Sequence, residues 1–297
     1  MRKSILLSLR ESLLTRAPLD DLPERVWKQI GALNTWGTNA IEGNTLTWRD
    51  VERLLLEEKG VGGRPVRDIL ETIQHEMVFR DLISRKSNPV RLVTILELHE
   101  AVFKGVKSDA GSWRRINVRI SGSKHTPPRF EKVVNEMEEM LDEYERRDTD
   151  SEDAILIGAW LHNRFESIHP FSDGNGRVGR LLLNLHMLKH NWPPVHILPD
   201  DRKRYMSAME RGNAGDMSSL NDLIERLAAR SILGLLDQVG TKLDELRPLM
   251  DFEKDGPYSA QYLRLRAGHG ELPAVKQSGD WHTSIRALRL YLKEMHH

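Results

Sequence analysis

One stretch of the chain decides how its best candidate site is built, and it reads Ile168-His169-Pro170-Phe171-Ser172-Asp173-Gly174-Asn175-Gly176-Arg177-Val178-Gly179-Arg180-Leu181-Leu182. Apolar runs with helical spacing lie on both sides of its centre, at residues 155–165 and 181–188. The pattern therefore predicts a helix–loop–helix connection. Its Gly-x-Gly core lets successive backbone N–H groups turn toward one point at the start of the second helix, a geometry that binds phosphate.

The other side chains of this stretch extend the same chemistry. Arg177 and Arg180 share a helix face, and both guanidinium groups can donate paired hydrogen bonds to one anion. That anion would repel Asp173 unless a divalent cation lay between them, and Mg²⁺ suits carboxylate and phosphate oxygens. His169 can reach the reacting phosphorus centre, where neutral imidazole can take a proton from an attacking hydroxyl. The stretch thus predicts a site for a nucleotide with Mg²⁺, with Phe171 anchoring the loop in the core.

These residues resemble the motif of the Fic family, His-x-Phe-x-(Asp/Glu)-Gly-Asn-Gly-Arg-x-x-Arg, and every fixed position is matched. The resemblance implies an all-α Fic fold with a short β-hairpin flap. It also implies an enzyme that transfers AMP from ATP to a Ser, Thr or Tyr hydroxyl of a target protein and releases pyrophosphate. His169 would be the general base and Asp173 the Mg²⁺ ligand. The residues implied to bind the phosphates of ATP are Gly174, Asn175, Gly176, Arg177 and Arg180.

A segment upstream of the motif predicts the flap. Residues 116–120 alternate between apolar and polar and precede a turn, which favours a short strand or hairpin. By resemblance to Fic proteins, this flap over residues 116–126 holds the target segment by strand addition, and a simple surface hairpin is the alternative. The residues predicted to dock the target are Ile116, Val118, Ile120, Ser121 and Gly122.

The resemblance covers about residues 35–235 and adds two further sets of residues. Downstream of the motif, Tyr205, Met206 and Asn213 fall where Fic proteins place their adenine and ribose contacts, although an aromatic residue is often found at the position of Met206. Upstream, Thr38 and Glu42 resemble the inhibitory helix motif (Ser/Thr)-x-x-x-Glu-(Gly/Asn).

The inhibitory motif has a simpler alternative, because a glycine after Ile41 and Glu42 can just end a helix. Beside a complete Fic loop, the resemblance implies that Glu42 pairs with Arg180 and takes the place of the γ-phosphate. This would make the chain a member of the class with an N-terminal inhibitory helix. The reverse reaction, in which Glu42 positions water to remove AMP, stays open.

Composition restricts the remaining choices. The 297 residues contain 44 Lys and Arg against 44 Asp and Glu, so net charge does not make the chain a general polyanion binder. Cysteine is absent, which excludes a disulfide scaffold and a thiolate nucleophile. Neither a secretion signal nor an apolar run long enough to span a membrane is evident. These features predict a cytoplasmic protein.

The sequence predicts three parts: an N-terminal helical region with the inhibitory motif at residues 1–90, a catalytic domain at 91–249, and a module at 250–297. The short charged stretch before Pro257 is the best boundary. The module reads as a helix at 258–267, a small hairpin at 272–283 and a final helix at 284–295, an arrangement similar to helix-turn-helix or winged modules of the excisionase type.

This module contains six basic and two acidic residues between 258 and 293, which would suit DNA phosphates. A protein-docking or homodimerisation appendage is the alternative. Two functions from different classes therefore remain open: an autoinhibited adenylyltransferase, and a DNA-binding regulator whose Fic domain senses nucleotide. Retention of His169 favours the enzyme. The His186 and His190 pair has i, i+4 spacing, but no third metal ligand is evident in the sequence, which favours structural histidines.

Overall fold

The computed structural model describes residues 1–150, 153–253 and 257–295. Most of the described chain is helical, as predicted. The helices are α1 (Lys3–Arg16), α2 (Glu24–Ile41), α3 (Trp48–Val51, continued by a π-helical turn Glu52–Leu56), α4 (Val66–Arg85), α5 (Leu92–Phe103), α6 (Val133–Thr149), α7 (Ala154–Ile168), α8 (Asn175–Lys189), α9 (Arg202–Asn213), α10 (Ser218–Val239), α11 (Ala260–His269) and α12 (Ile285–Met295).

The chain divides into two compact units. The central unit comprises Trp27–Leu223, and the terminal unit comprises Met1–Val26 together with Ile224–His297. The divisions fall inside α2 and α10. The sequence-based division assigns functions to parts of the chain, at residues 1–90, 91–249 and 250–297, and it stays a prediction. Gly256, at the predicted boundary before Pro257, lies outside the described residues.

In the central unit, α7 and α8 form the most deeply buried pair, and the connection between them is the predicted loop. Asp153 caps α7 by accepting hydrogen bonds from the backbone N–H groups of Ile155 at 2.8 Å and Leu156 at 3.4 Å. Helices α4, α5, α6 and α9 pack around this pair. The candidate loop is therefore held between two helices whose apolar side chains are almost fully buried.

In the terminal unit, a small antiparallel sheet has the order β1–β3–β2, with β1 at Arg247–Pro248, β2 at Val275–Gln277 and β3 at Asp280–Thr283. Helix α1 packs against α12. An ion pair joins Oδ1 of the buried Asp244 to Arg286 Nε at 2.5 Å. The helix, hairpin and final helix predicted for the C-terminal module are present as α11, β2–β3 and α12, with the additional strand β1 preceding them.

The predicted β-hairpin over residues 116–126 is not formed. All of these residues are described, and they form a loop with a turn in which Ser123 N–H donates to Ile120 O at 3.2 Å. The carbonyl of Ile116, which a hairpin partner could use, accepts a hydrogen bond from Arg114 at 2.9 Å. A hydrogen bond from a side chain thus takes the place of a backbone hydrogen bond between strands, and residues 116–126 form a loop instead of a hairpin.

Within the described ranges, no helix combines the length and apolar character that crossing a membrane requires.

Candidate active site

The loop between α7 and α8 has two left-handed residues that fix its course. His169 ends α7 with φ 52° and ψ 60°, and its N–H donates to Phe165 O at 3.0 Å. Gly174 precedes α8 with φ 85°, and a Cβ at this position would lie 2.3 Å from Phe103 Cε2. Only glycine fits there. The helix–loop–helix connection predicted from the sequence is confirmed.

Asn175 and Phe171 close the loop from within. Phe171 N–H donates to Asn175 Oδ1 at 2.8 Å, and Asn175 Nδ2 donates to Phe171 O at 3.0 Å. The Phe171 ring is fully buried, as predicted, and stacks on His99 with ring centroids 3.8 Å apart. Because both polar atoms of the Asn175 side chain are used inside the loop, its backbone N–H is the group left to meet a phosphate.

His99 and Arg114 support the loop from outside the motif. Gly111 N–H donates to His99 Nδ1 at 2.9 Å, which leaves the Nε2 proton to be donated to Asp173 O at 3.1 Å. The Arg114 guanidinium donates to His169 O at 2.8 Å and to Pro128 O at 2.5 Å. Arg114 is 3% exposed, so one buried cation joins the flap to the backbone of the candidate base.

His169 is placed as a proton acceptor. Its Nδ1 lies 3.3 Å from Glu166 O, so an Nδ1 proton would point back into α7 and leave the Nε2 lone pair available. Burial lowers the pKa of His169, outweighing the carbonyl of Glu166 and the nearby carboxylates, which raise it. The imidazole is therefore neutral at neutral pH, which is the form that accepts a proton.

Glu166 stands beside this base and was not singled out from the sequence. Its Oε2 lies 3.9 Å from His169 Nδ1, and its buried Oε1 makes no hydrogen bond among the described residues. Burial raises the pKa of Glu166 to about 8, against the lowering charge of Arg180. The carboxyl group is therefore mostly neutral at pH 7.

Both motif arginines already hold carboxylates. Arg180 Nη2 lies 2.6 Å from Glu42 Oε1, and Arg180 Nε donates to Thr38 Oγ1 at 2.6 Å. The structure thus brings together Thr38, Glu42 and Arg180. Arg177 Nη1 lies 2.6 Å from Glu71 Oε2, a contact that sequence reasoning missed. The two carboxylates come from the end of α2 and from α4.

Glu42 sits directly against the glycine loop. A Cβ on Gly176 would lie only 2.1 Å from Glu42 Oε1, so the carboxylate fills the space that the absent side chain leaves. Burial raises the pKa of Glu42, but the charge and hydrogen bond of Arg180, with the charge of Arg177, outweigh it and hold that pKa below its ordinary value. Glu42 is an anion in the place predicted for an anionic ligand.

Asp173 is also ionised and half-exposed. Its Oδ2 lies 2.5 Å from Lys107 Nζ and 3.7 Å from Arg67 Nη2, and its Oδ1 accepts from Gly174 N–H at 2.6 Å. Burial raises the pKa of Asp173, yet the hydrogen bond and charge of Lys107, with the charge of Arg177, lower it overall. Two cations compensate this carboxylate, and neither was predicted as part of the site.

The residues predicted to contact adenine and ribose lie on α9, which packs against α7. Tyr205 is buried, and its hydroxyl lies 2.8 Å from His162 Nε2. Asn213 Oδ1 accepts from Asn163 Nδ2 at 3.2 Å. Met206 is 41% exposed. These three residues share one helix, but their predicted contacts with a nucleoside stay predictions.

The flap presents an exposed middle between anchored ends. Ile116 is 62% exposed, while Val118 and Ile120 are half-buried and Ser121 and Gly122 are exposed. At the far end, Lys124 N–H donates to Glu210 Oε1 at 2.9 Å. The flap therefore offers an accessible edge whose position relative to the base is set at both ends.

Residues 89–187, which include the loop and both arginines, match the model of the Fic/DOC family. The chain contains a Fic domain. Similar proteins include protein adenylyltransferase fic-1 of Caenorhabditis briggsae, 31% identical over 198 residues that cover 65% of this chain and 39% of that protein. Protein adenylyltransferase Fic of Nematostella vectensis is 29% identical over 220 residues, covering 72% and 51%.

Solved Fic structures share the fold. Fic-1 from C. elegans is 26% identical, covers 80% of this chain and 72% of that chain, and superposes with a TM-score of 0.66. A Fic domain protein from Bacteroides thetaiotaomicron, 24% identical, covers 78% of this chain and 96% of that chain with a TM-score of 0.70. The all-α Fic fold is thus confirmed. The chain spans about two fifths to one half of the length of the first curated relatives it matches.

Proposed function

We propose that this Fic protein is an autoinhibited protein adenylyltransferase. It transfers AMP from ATP to a Ser, Thr or Tyr hydroxyl of a target protein, or of itself, and releases pyrophosphate. The observation that carries the proposal is the arrangement of one loop: a neutral His169 at its start, a glycine turn at its centre and two arginines on the helix that follows. The names of the relatives, protein adenylyltransferase, support the same activity.

The proposed chemistry assigns each group one task. His169 accepts the proton of the attacking hydroxyl as its oxygen bonds to the α-phosphorus of ATP. The bond from that phosphorus to the bridging oxygen of the β-phosphate breaks, and pyrophosphate leaves with the electron pair. Arg177 and Arg180 bind the negative charge of the β- and γ-phosphates, and Gly174, Asn175 and Gly176 line the site of the α- and β-phosphates.

Asp173 fits the role of Mg²⁺ ligand. Its carboxylate is ionised, half-exposed and next to the turn that would bind phosphate, and hard oxygen donors are what Mg²⁺ prefers. When bound, Mg²⁺ would neutralise charge on the phosphates of ATP. Lys107 Nζ lies 2.5 Å from this carboxylate, so the ion would compete with an existing cation partner.

Autoinhibition follows from competition for Arg180. Glu42 and the γ-phosphate would use the same guanidinium, and Thr38 holds that guanidinium toward α2. With Glu42 in place, ATP binds weakly or in a pose unsuited to in-line attack. In the reverse reaction, which remains an alternative for the same pocket, Glu42 would position a water to remove AMP from a modified protein.

Incorporation of labelled AMP into protein, measured in lysate with Mg²⁺ and ATP, tests the proposal. We expect weak labelling by the wild type and at least ten-fold more by Glu42→Gly, because the variant frees Arg180. The double variant Glu42→Gly/His169→Ala should lose labelling while retaining ATP binding. Equal labelling by wild type and Glu42→Gly would contradict autoinhibition, and full labelling by the double variant would contradict the role of His169.

The flap and the C-terminal module extend the proposal to partners. We propose that the exposed edge at Ile116–Gly122 docks a target segment of extended backbone. DNA binding through residues 258–293 and formation of a homodimer stay predictions. The turn between β2 and β3 is exposed, as a wing would require. A mobility shift with random duplex that weakens steeply with salt would distinguish phosphate contact from a solvated basic face.

A further inference from the structure

A second set of chemically active side chains lies at the opposite end of α8 from the Fic loop. Helix α6 contributes Tyr144 and Asp148, while His186 lies in α8 and His190 directly follows that helix, each pair with i, i+4 spacing. One ligand atom from each of Asp148, His186 and His190 lies within 4.8 Å of the other two. The 15-residue length of α8 separates this cluster from the loop by roughly 20 Å.

The hydrogen bonds of His186 are those of a preorganised metal ligand. Its Nε2 lies 2.7 Å from Ala154 O, so the proton of that nitrogen is donated to a backbone carbonyl. This fixes the tautomer and leaves Nδ1 with a lone pair, 3.0 Å from the Tyr144 hydroxyl. Metal-bound histidines usually donate their second ring N–H to a carbonyl or carboxylate in this manner.

Asp148 is oriented in the corresponding way. Lys189 Nζ lies 2.6 Å from its Oδ2, while its Oδ1 lies 2.6 Å from His190 Nε2. A carboxylate that binds a metal through one oxygen commonly has the other oxygen hydrogen-bonded. Lys189 would supply that second bond and offset part of the charge of the carboxylate. His190 remains 28% exposed, which gives an ion a route to the cluster.

We propose that Asp148, His186 and His190 form a binding site for a divalent transition-metal ion such as Zn²⁺. Two imidazoles and one carboxylate are typical ligands of zinc, at about 2.0–2.2 Å. The Tyr144 hydroxyl or a water completes a tetrahedral set. Ligand atoms around such an ion lie about 3.3 Å apart, so the imidazoles close in and the direct contact between Asp148 and His190 opens. The ion then links the C-terminal ends of α6 and α8.

Titration of the whole chain with Zn²⁺ alone, followed by calorimetry and by the imidazole NMR signals, tests this site. We expect one equivalent of Zn²⁺ to bind the wild type at least ten-fold more tightly than Asp148→Asn or His190→Gln. Signals of His186 and His190 should shift in the wild type, and Co²⁺ should give the visible absorption of a tetrahedral site. Zn²⁺ should also raise the unfolding temperature of the wild type more than that of either variant.

Two controls separate this site from other metal contacts. His269→Gln removes a histidine that lies 3.6 Å from the carboxylate of Glu271 in the terminal unit, and it should bind Zn²⁺ like the wild type. Asp173→Asn removes the carboxylate proposed to hold Mg²⁺ and should leave the Zn²⁺ equivalent in place. The proposal is overturned if Zn²⁺ uptake is absent, or if it is the same in the wild type, Asp148→Asn and His190→Gln. Far-UV circular dichroism confirms that each variant is folded.

Discussion

Arg177 and Arg180 show, residue by residue, how the buried charges of the site are paired. Each guanidinium is buried, and each has a carboxylate at 2.6 Å. The charge of Arg180 also lowers the pKa of Glu166. Burial has the larger effect and raises that pKa to about 8, so the carboxyl group stays mostly protonated at pH 7. The site therefore holds one neutral acid among several ionised ones.

Glu166→Gln tests this assignment through the pH dependence of stability. Between its ordinary pKa of 4.5 and about 8, Glu166 keeps a proton in the folded chain that the unfolded chain releases. The free energy of unfolding therefore falls as the pH rises through this window, by up to about 1.4 kcal/mol per pH unit. Glutamine lacks this dependence, so the stability of Glu166→Gln relative to wild type should increase from pH 5 to pH 8 in urea unfolding.

A matched control uses an exposed glutamate. Glu139→Gln on α6 makes the same substitution at an exposed position, and it should not reproduce the pH-dependent gain in stability expected of Glu166→Gln. Parallel stability curves for wild type and Glu166→Gln would contradict the raised pKa.

At the scale of elements, the end of α7 combines a catalytic assignment with backbone strain. His169 adopts φ 52°, a region in which a side chain with a Cβ is disfavoured and glycine is not. We expect His169→Gly to be more stable than His169→Ala by about 1 kcal/mol, although both variants lack the base. Chemical unfolding of the two variants measures the difference.

The neighbouring Ser167 provides the opposite case. It lies inside α7 with helical geometry, so Ser167→Gly should be less stable than Ser167→Ala by about 1 kcal/mol. Glycine could be more stable than alanine at both positions, or at neither. In either case the left-handed conformation of His169 would not explain the result.

Elements that carry a local signal could be predicted from the sequence. The helices on either side of the loop have regular apolar spacing, the loop has a contiguous motif, and Glu42 belongs to a motif of its own. Glu71 could not be found in this way, because it meets Arg177 across 106 positions in the chain. Asp148 was missed for the same reason, since only packing brings α6 to the end of α8.

The flap shows the limit of a correct local pattern. Alternation from Ile116 to Ile120 favours a strand, but the segment is a loop. A strand also needs a neighbouring strand as its hydrogen-bonding partner. Here the buried Arg114 guanidinium donates instead to the backbone carbonyls of Ile116 and Pro128. Tertiary hydrogen bonds thus replaced the hairpin that the pattern predicts.

At the scale of the whole molecule, every residue of the proposed nucleotide site lies in the central unit, between Thr38 and Asn213. Binding of ATP to the folded state alone raises the free energy of unfolding, by about 2.7 kcal/mol at one hundred times Kd. On the proposed competition between Glu42 and the outer phosphates, Mg²⁺ and ATP should raise the melting temperature of Glu42→Gly more than that of the wild type. Differential scanning fluorimetry measures both shifts.

AMP separates this effect from general tighter binding. It lacks the β- and γ-phosphates, so it should shift the wild type and Glu42→Gly by similar amounts. A larger shift for Glu42→Gly with AMP as well, or equal shifts with ATP, would mean that Glu42 does not act at the outer phosphates.

The contact between Glu42 and Arg180 has a consequence for how such a protein can evolve. The guanidinium is 5% exposed, and its carboxylate partner offsets the cost of keeping that charge out of water. On the proposed autoinhibition, a lineage that loses Glu42 would gain constitutive activity and, in the same mutational step, would lose the carboxylate that compensates the buried Arg180, which makes the fold less stable. Selection for permanent activity would then require a second substitution that restores stability, which would favour retention of Glu42.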